Sequence, residues 1–372
     1  MPDPIHILHV SPTLGLGGRE IRISALVNSL GAEFRHTFCA LDGNLAFSEL
    51  LRPTADVRFI SAPRPLTSRP LGLVRPALGL FAQFRPDVVA TYNWGTIEVA
   101  LAGVLAGRQV VHTEDGFGRD EATRLKRRRI LMRRLVLRHV FATVLVSRCL
   151  YTTAVRVFRL PDSRIRFIPN AIDTTRASGE RDLSLRSRLG IPADAIVVGT
   201  VARLQPEKNL TLLIEAIAAA RLDQLWLVIV GDGPCLADLR EAAKASGVEA
   251  RLRFAGAVPA PWAWYRSFDI FAMSSVTEQL PMALLEAMAS ALPVVCTDVG
   301  DIGDVLSADE VQLLSDFRPD TFGERLRGLA ADPSLRATLG ERNRMVVERD
   351  YSQPRMLADY AQLYRDAARR DR

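Results

Sequence analysis

Two glutamates stand eight residues apart in the stretch TEQLPMALLEAMAS, at positions 278 and 286. The apolar run that starts at Pro281 predicts a helix with the proline as its first residue, so Glu278 belongs to the loop ahead of it and Glu286 lies inside it. Carboxylates accept hydrogen bonds from hydroxyl groups, and the first N–H groups of a helix, here near Met282 and Ala283, favour an anion such as a diphosphate. The stretch is therefore either a surface helix with two solvated acids or a site for a hydroxyl-rich, anionic ligand.

Two cations, Arg203 and Lys208, follow the predicted strand IVVGTVA (196 to 202) in the segment TVARLQPEKNL. They stand where a strand ends and a helix begins, a place that already favours anions. A second strand-to-helix turn, IVGDGPCLADL, has Gly231 and Gly233 on either side of Asp232, and glycine lets the backbone turn sharply and approach a ligand closely. Taken singly, these patterns also occur as ordinary surface charges and tight turns.

The first half carries weaker candidates at the ends of strands. Gly17 and Gly18 follow the first predicted strand and precede a helix expected to begin near Glu20, where backbone amides favour a phosphate. His112 ends the predicted strand QVVHT, and Glu114 and Asp115 come directly after it. An isolated histidine at a strand end is more often structural than functional, so the residues alone leave both roles open.

Strands and helices alternate along the chain, which predicts the α/β class with parallel sheets covered on both faces. First-half strands are expected at 5–10, 36–41, 57–60, 87–92, 109–113 and 142–147, and a second series begins at 196. We predict two doubly wound, Rossmann-like domains facing a cleft, at 1–170 and 191–350, joined by a linker at 171–190. A final helix at 351–372 is expected to pack back toward the first domain. Ligands of such folds bind at the carboxyl ends of strands, where the candidate residues lie.

The composition, 372 residues with 48% hydrophobic and 24% charged side chains, is that of a globular protein of two domains. Four cysteines without paired spacing suggest neither a disulfide framework nor a zinc site and fit a reducing compartment. The N-terminus predicts no signal peptide, and the lack of an apolar run of about 18 residues predicts no membrane span. These features favour a cytoplasmic location.

Positive charge is concentrated in the first half, where residues 1–180 carry 25 Lys/Arg against 15 Asp/Glu. The stretch RLKRRRILMRRLVLR (124–138) has eight basic residues and no acid. At 100° per residue its arginines and leucines interleave, which argues against a simple amphipathic anchor. A solvated helix and a surface for anionic lipid or a lipid diphosphate both stay open. Nucleic acid is disfavoured because no aromatic side chains interleave with the cations.

In combination these motifs resemble glycosyltransferases of the GT-B architecture, specifically the retaining enzymes of family 4. The two glutamates match the family's two-glutamate motif, and Arg203 and Lys208 match its diphosphate-binding cations. The segments GLGGRE (15–20), GDGP (231–234) and IPNAIDTTR match its glycine loop, its turn and its interdomain segment. Residues 86–118 resemble members associated with exopolysaccharide assembly. Gln279 departs from the pattern, because many members have glycine after the first glutamate, so the identity of the donor is not carried over.

The resemblance implies a retaining, metal-independent transferase of the hexosyltransferase type that needs no cofactor. We expect that it moves a sugar from a nucleotide diphosphate donor to a hydroxyl of a glycan or lipid-linked acceptor in bacterial cell-surface polysaccharide synthesis. The expected site residues are His112, Arg203, Lys208 and Glu278 as catalytic residues, Gly231, Gly233, Pro281, Met282, Ala283 and Glu286 as donor-binding residues, Gly17 and Gly18 as the N-terminal glycine loop, and Glu114 and Asp115 as acceptor contacts.

Other functions stay open on the sequence alone. A nucleotide-sugar epimerase, a glycan phosphorylase or a catalytically silent scaffold could share the same architecture. The expected partners are the donor, the acceptor and the anionic inner face of the cytoplasmic membrane, which would be contacted through residues 124–138. Nucleic acid is not expected as a partner.

Overall fold

A computed structural model describes residues 3–63, 71–117, 121, 124–181, 183–306 and 313–369 of the chain. It consists of two compact units. The first comprises Met1–Asn170 together with Pro354–Arg372, and the second comprises Ala171–Gln353. Within the described ranges, no helix is both long and apolar enough to span a bilayer.

The first unit contains a seven-stranded parallel sheet in the order β3-β2-β1-β4-β5-β6-β7. The strands are β1 (Ile5–Ser11), β2 (Phe34–Ala40), β3 (Val57–Ile60), β4 (Val88–Tyr92), β5 (Val110–Glu114), β6 (Ala142–Leu145) and β7 (Ile165–Phe167). The six strands expected from the apolar runs are present, and β7 adds a seventh. The helices of this unit are α1 (Gly18–Leu30), α2 (Val74–Phe84), α3 (Ile97–Leu105), α4 (Arg127–Leu137), α5 (Arg148–Arg156) and α14 (Gln353–Arg369).

The second unit contains a six-stranded parallel sheet in the order β10-β9-β8-β11-β12-β13. Its strands are β8 (Ile196–Val201), β9 (Leu225–Val230), β10 (Leu252–Gly256), β11 (Ile270–Met273), β12 (Val294–Thr297) and β13 (Leu314–Ser315). Its helices are α6 (Ser184–Arg188), α7 (Leu210–Ala220), α8 (Leu236–Ala245), α9 (Trp262–Ser267), α10 (Met282–Ala289), α11 (Ile302–Val305), α12 (Pro319–Ala331) and α13 (Pro333–Asp350).

Both faces of the second sheet are buried, which explains why its strands read as continuous apolar runs. Successive residues of β8 contribute to different cores, Val197 to one and Val198 to the other. On β11 the same alternation places Phe271 and Met273 in the first core. These two packed layers hold the sheet rigidly between helices, so the loops at its carboxyl edge start from fixed positions.

The segment 171–190, expected as a linker, lies within the second unit. Arg186 of α6 donates hydrogen bonds to Asp269 Oδ2 at 2.7 Å and to the Ser267 carbonyl oxygen at 2.6 Å. Asp269 also accepts from the backbone N–H of Val197 at 2.7 Å and pairs with Arg181. The buried Arg186 and the backbone of β8 thus donate to the same carboxylate, that of Asp269. This shared partner fixes the segment 171–190 to the sheet.

The C-terminal helix α14 belongs to the first unit, in agreement with the sequence-based expectation. Its Tyr364 is buried, with its ring 6.4 Å from His9 of β1 and 6.5 Å from Phe34 of β2. Arg365 forms two 2.7 Å hydrogen bonds with Glu33 at the surface. Residues 370–372 of the expected segment lie outside the described residues.

Candidate active site

The carboxyl edge of the second sheet has a topological switch point at β8, which lies between β9 and β11. From β8 the chain builds outward to β9 and β10 on one side, and later to β11, β12 and β13 on the other. Loops that leave such a point in opposite directions open a crevice, where ligands bind in open α/β sheets. The candidate residues of the second half stand on the loops after β8, β9 and β11.

Gly231 and Gly233 hold the loop after β9 against the loop after β8. Their φ angles are +144° and +159°, and an added Cβ would lie 1.8 Å from the Ala202 carbonyl oxygen at the first position and 2.5 Å from the Leu204 carbonyl oxygen at the second. The close approach is made by backbone hydrogen bonds, from Leu204 N–H to the Asp232 carbonyl at 2.9 Å and from Cys235 N–H to the Leu204 carbonyl at 3.0 Å. These glycines therefore fix the loop that carries the exposed residue Arg203.

Lys208 and Glu278 are brought together across the switch point. Lys208 Nζ lies 2.5 Å from Glu278 Oε1, and the Ser275 hydroxyl donates to the same oxygen at 2.7 Å. The Ser274 hydroxyl lies 2.9 Å from the carbonyl oxygens of both Lys208 and Asn209, which joins the end of β11 to the loop after β8. The side chains of Lys208 and Glu278 are 26% and 12% exposed, so solvent and small ligands reach both.

The backbone around Glu278 is held from the other side by the loop after β12. Gly300 has φ +61°, and a Cβ there would lie 2.4 Å from the Glu278 carbonyl oxygen and 2.7 Å from that of Gln279. Asp301 N–H donates to the Gln279 carbonyl at 2.8 Å, and the Thr297 hydroxyl donates to the Ser275 carbonyl at 2.6 Å. The carboxylate of Glu278 therefore stands on a braced loop rather than on a free one.

Helix α10 begins at Met282, one residue later than the sequence pattern suggested. Pro281 precedes the helix with extended geometry, φ −72° and ψ 127°, and its carbonyl accepts from Leu285 N–H at 3.3 Å. Pro281 is therefore the N-cap and not the first helical residue. The first N–H groups of a helix have no acceptor within the helix. Because Pro281 has no N–H, the first amides of α10 are those of Met282 and Ala283.

Glu286 lies in the second turn of α10 and is only 8% exposed. Tyr265 of α9, fully buried, donates its hydroxyl to Glu286 Oε2 at 2.7 Å. Burial raises the pKa of Glu286 to about 7, against the opposing effects of the Tyr265 hydrogen bond and the charge of Arg176. The sequence analysis missed Tyr265, because nothing in the segment WAWYRS distinguishes it from a core aromatic.

The structure places His112 on β5 of the first unit with its side chain fully buried. Its Nδ1 atom lies 2.8 Å from the Thr91 hydroxyl, and its Nε2 atom lies 3.5 Å from Glu114 Oε1. Glu114 is fully buried as well and accepts a 2.7 Å hydrogen bond from Arg133 Nε. Burial by itself would raise the pKa of Glu114, but the Arg133 charge and the neighbouring imidazole bring it below its ordinary value. In this arrangement a ligand reaches neither side chain.

Asp115 is less buried than Glu114, with 13% of its side chain exposed. Its carboxylate lies 2.5 Å from Arg22 Nη2, and its backbone N–H donates to Asn93 Oδ1 at 2.7 Å. Arg22 also donates to Asn170 Oδ1 at 2.9 Å, so this buried arginine ties together α1, the end of β5 and the last residue before the second unit. Arg22 is a second residue that the sequence analysis did not single out.

Gly17 and Gly18 stand at the start of α1, which begins at Gly18 rather than near Glu20. Gly17 occupies the N-cap with φ −168°, an extended conformation open to any residue, and its carbonyl accepts from Ile21 N–H at 3.0 Å. The loop is also held by Arg19, which donates to the Thr13 carbonyl at 2.9 Å. Among the described residues, no group of three His, Cys, Asp or Glu side chains could hold a metal ion.

Two family models match the chain in succession. The model described as Glycosyltransferase Family 4 matches residues 16–176, and the model described as Glycosyl transferases group 1 matches residues 183–346. A curated relative, 2-deoxystreptamine N-acetyl-D-glucosaminyltransferase from Streptomyces fradiae, is 30% identical over 298 residues, which are 71% of this chain and 70% of the relative. The chain belongs to glycosyltransferase family 4.

Other relatives of this glycosyltransferase differ in how much they cover. The putative glycosyltransferase EpsF of Bacillus subtilis is 28% identical over 313 residues, 78% of this chain and 79% of its own length. The D-inositol 3-phosphate glycosyltransferase of Corynebacterium glutamicum is 34% identical over 193 residues, but the match spans only 49% of this chain and 46% of that protein.

Solved structures confirm the GT-B fold. HepE from Anabaena, crystallised with UDP, superposes with a TM-score of 0.83 at 19% identity, covering 97% of this chain and 100% of HepE. Sucrose-phosphate synthase from Thermosynechococcus elongatus superposes with a TM-score of 0.79 at 20% identity, covering 97% and 98% of the two chains. At this level of identity the likeness establishes the fold.

Proposed function

We propose that this glycosyltransferase takes its sugar from a nucleoside diphosphate donor bound at the carboxyl edge of the second sheet. The observation that carries the proposal is the Lys208–Glu278 pair at the switch point, on a loop that runs into the start of α10. One edge thus presents a cation, free helix amides and a carboxylate, which suit a diphosphate linked to a sugar. HepE, with the same fold, has been crystallised with UDP and with UDP-glucose, which supports this class of donor.

Each side chain has a proposed task. Lys208 and Arg203 neutralise the diphosphate together with the amides of Met282 and Ala283, and they stabilise its charge as it leaves. Glu278 accepts hydrogen bonds from the hydroxyls of the donor sugar, with Ser275 and Lys208 holding one of its oxygens. Glu286 accepts from the hydroxyls of the ribose, oriented by Tyr265. Gly231 and Gly233 act on the donor indirectly, by fixing the loop of Arg203.

We propose that the first unit presents the acceptor hydroxyl, with Asp115 and the amides near Gly17 and Gly18 as its contacts. His112 and Glu114 are fully buried, so their proposed role is to hold the end of β5, which Asp115 directly follows, rather than to touch a ligand. Transfer with retention of configuration and without a metal is implied by the family. Transfer without a metal is further supported by two cations and a helix N-terminus at the place where a leaving diphosphate would need positive charge.

The proposed setting is the assembly of a bacterial cell-surface polysaccharide at the inner face of the cytoplasmic membrane. The names of two relatives support it, since EpsF is matched over most of its length and another relative, LpsE of Rhizobium meliloti, is a lipopolysaccharide core biosynthesis glycosyltransferase. An acceptor linked to lipid would require the enzyme to work at a membrane surface.

The test begins with thermal unfolding of the purified chain in the presence of UDP, GDP and ADP and their sugars. A nucleotide that binds only the folded protein raises the midpoint, so one base should stand out. The donor so identified is then incubated with lipid-linked glycan acceptors, and NMR of the product gives the anomeric configuration. We expect acceptor-dependent release of the nucleoside diphosphate with retention.

Three results would contradict the proposal. Isomerised donor formed without any acceptor would indicate an epimerase. A requirement for inorganic phosphate with release of a sugar phosphate would indicate a phosphorylase. The absence of stabilisation by every nucleotide would indicate a silent scaffold.

A further inference from the structure

In the structure, the arginines of the basic stretch 124–138 form two sets: an inner set that contacts the protein itself and an outer set that is exposed. Arg133 of α4 is 1% exposed and lies 2.7 Å from Glu114 and 3.2 Å from Glu121, while Arg129 lies 3.0 Å from Glu121. Arg134 donates to the Val157 carbonyl at 2.8 Å. These three arginines bind the protein itself, so they do not belong to the outer surface. Cations and leucines interleave in the sequence because some of the cations contact the protein and others face outward.

The outer surface of α4 has an apolar centre with arginines at both ends. Leu131 and Leu135 are 55% and 52% exposed and lie one turn apart on the helix. Arg128 precedes them and Arg138 follows them at helical spacing, and both are exposed, as is Arg127. Neighbouring exposed apolar side chains that form a patch bordered by polar residues are typical of an interaction surface.

Helix α5 repeats the same arrangement beside it. Tyr151 and Val155 are 39% and 36% exposed, and the exposed residues Arg148 and Arg156 stand at the two ends of the helix. β6 lies between β5 and β7, so right-handed crossovers place α4 and α5 next to each other on one face of the sheet. The contact of Arg134 with Val157, the residue that ends α5, agrees with this placement.

The surrounding chain carries almost no negative charge. Residues 122–172 contain 13 Lys/Arg and a single acid, Asp162. An apolar centre bordered by cations matches the boundary of an anionic bilayer, where arginines reach phosphate groups and leucines enter the acyl region. Nucleic acid would leave the leucines without a partner, and a second copy of the chain would bring like charges together.

We propose that the outer surfaces of α4 and α5, called here the α4/α5 face, form a docking site for an anionic phospholipid bilayer. The inference deepens and rests on the membrane location in the proposed function, which needs such a surface. Leu131, Leu135, Tyr151 and Val155 enter the bilayer interface, while Arg127, Arg128 and Arg138 contact lipid phosphates. Lipid binding and nucleotide binding are measured separately, so failure of one is distinguishable from failure of the other.

The experiment is co-sedimentation of the full chain with vesicles of phosphatidylcholine, with and without about 30% phosphatidylglycerol. We expect the anionic lipid to increase the partition coefficient by about tenfold or more, since each cation near an anionic surface adds roughly a factor of five. Leu131→Gln/Leu135→Gln should lower binding to anionic vesicles by about tenfold, because two leucines no longer enter the interface. Arg127→Gln/Arg128→Gln/Arg138→Gln should reduce it to about the value for phosphatidylcholine alone.

Matched controls come from exposed residues of the second unit. Leu335→Gln/Met345→Gln on α13 removes two exposed apolar side chains, 39% and 60% exposed, and Lys244→Gln/Arg344→Gln/Arg349→Gln removes three exposed cations. Both variants should bind vesicles like the unsubstituted protein. Unchanged thermal midpoints and nucleotide stabilisation in all variants verify that each one is folded.

Three results would overturn the proposal. The first is equal binding to vesicles with and without phosphatidylglycerol at low salt. The second is unchanged binding by the leucine variant, which would reduce the contact to general electrostatic attraction. The third is tighter binding of a single-stranded RNA oligonucleotide that displaces the vesicles, which would assign the α4/α5 face to nucleic acid.

Discussion

At the scale of single residues, the two glutamates of the site have different surroundings. Glu278 stays accessible beside Lys208, whereas Glu286 is buried with a tyrosine hydroxyl on one oxygen. Burial raises the pKa of Glu286 to about 7, so its charge changes near neutral pH. The two glutamates of one sequence motif therefore differ in electrostatics.

Nucleotide affinity should depend on pH through Glu286. A carboxylate accepts both ribose hydroxyls better than a protonated acid does, so affinity should fall by about tenfold from pH 8 to pH 6, the change in ionised fraction for a pKa near 7. Titration calorimetry over this range measures it. Glu286→Gln should bind more weakly at pH 8 and lose this part of the pH dependence. An unchanged pH profile in that variant would contradict the ribose role.

The stability of the unliganded protein should move in the opposite direction. The folded pKa of Glu286 lies above its ordinary value of 4.5, so its protonated form stabilises the fold below about pH 4.5 and this stabilisation is lost as pH rises through about 7. Relative to Glu286→Gln, the protein should lose on the order of 3 kcal/mol across that range.

Tyr265→Phe should raise the pH at which Glu286 titrates. The hydroxyl of Tyr265 stabilises the charged carboxylate, so its removal should raise the pKa of Glu286 further and move the midpoint of the affinity profile to higher pH. At pH 7 nucleotide binding should weaken, and at pH 9 it should approach that of the unsubstituted protein. A profile that keeps its midpoint would show that Tyr265 does not act on the carboxylate.

At the scale of elements, the loops of the site are positioned by close contacts between backbones. The loop after β9 touches the loop after β8 only because Gly231 and Gly233 lack a Cβ, and Gly300 allows the same approach to the backbone of Glu278. The sequence showed glycines at these turns and anticipated a sharp bend. It did not show which neighbouring backbone each glycine admits, because that depends on how strands distant in sequence pair.

Gly231→Ala should destabilise the protein and weaken nucleotide binding together. The added Cβ would lie 1.8 Å from the Ala202 carbonyl oxygen at a φ of +144°, so the loop of Arg203 must move, at a cost of roughly 3 kcal/mol or more. Gly328→Ala is the matched control. It adds a Cβ within α12 where nothing lies within 4 Å, and it should stabilise by up to about 1 kcal/mol. Thermal unfolding compares the two, and equal midpoints would refute the loop-contact account.

At the scale of the whole molecule, much of the architecture was readable from the sequence, because hydrophobic runs of strand length alternate with helical patterns throughout. The motifs identified the edge of the second sheet because they all follow strands. Contacts between distant segments were not readable. The contacts of Tyr265 with Glu286, of Arg22 with Asp115 and of Arg133 with Glu114 arise from the packing of separate elements. No local sequence pattern encodes them.

Removal of α14 should affect the first unit selectively. Residues Met356, Tyr360, Leu363 and Tyr364 are all buried on that unit, and each large side chain contributes about 1.5–3 kcal/mol on burial. A chain ending at Ser352 should lose hydrogen-exchange protection in β1 and β2 while β8 and β9 keep it. Arg365→Ala, which breaks only the exposed pair with Glu33, should cost less than about 1 kcal/mol. Equal loss in both sheets would contradict the division into units.

The most direct test of the account is the dissociation constant of the preferred nucleoside diphosphate among UDP, GDP and ADP, measured by titration calorimetry at pH 8. Lys208→Ala should raise it by about tenfold to a hundredfold, since a charge-assisted hydrogen bond to phosphate is lost. Lys244→Ala, at an exposed lysine on α8 paired with Glu241, should leave it unchanged. Equal affinity in Lys208→Ala and the unsubstituted protein would contradict the claim that this edge of the second sheet holds the diphosphate.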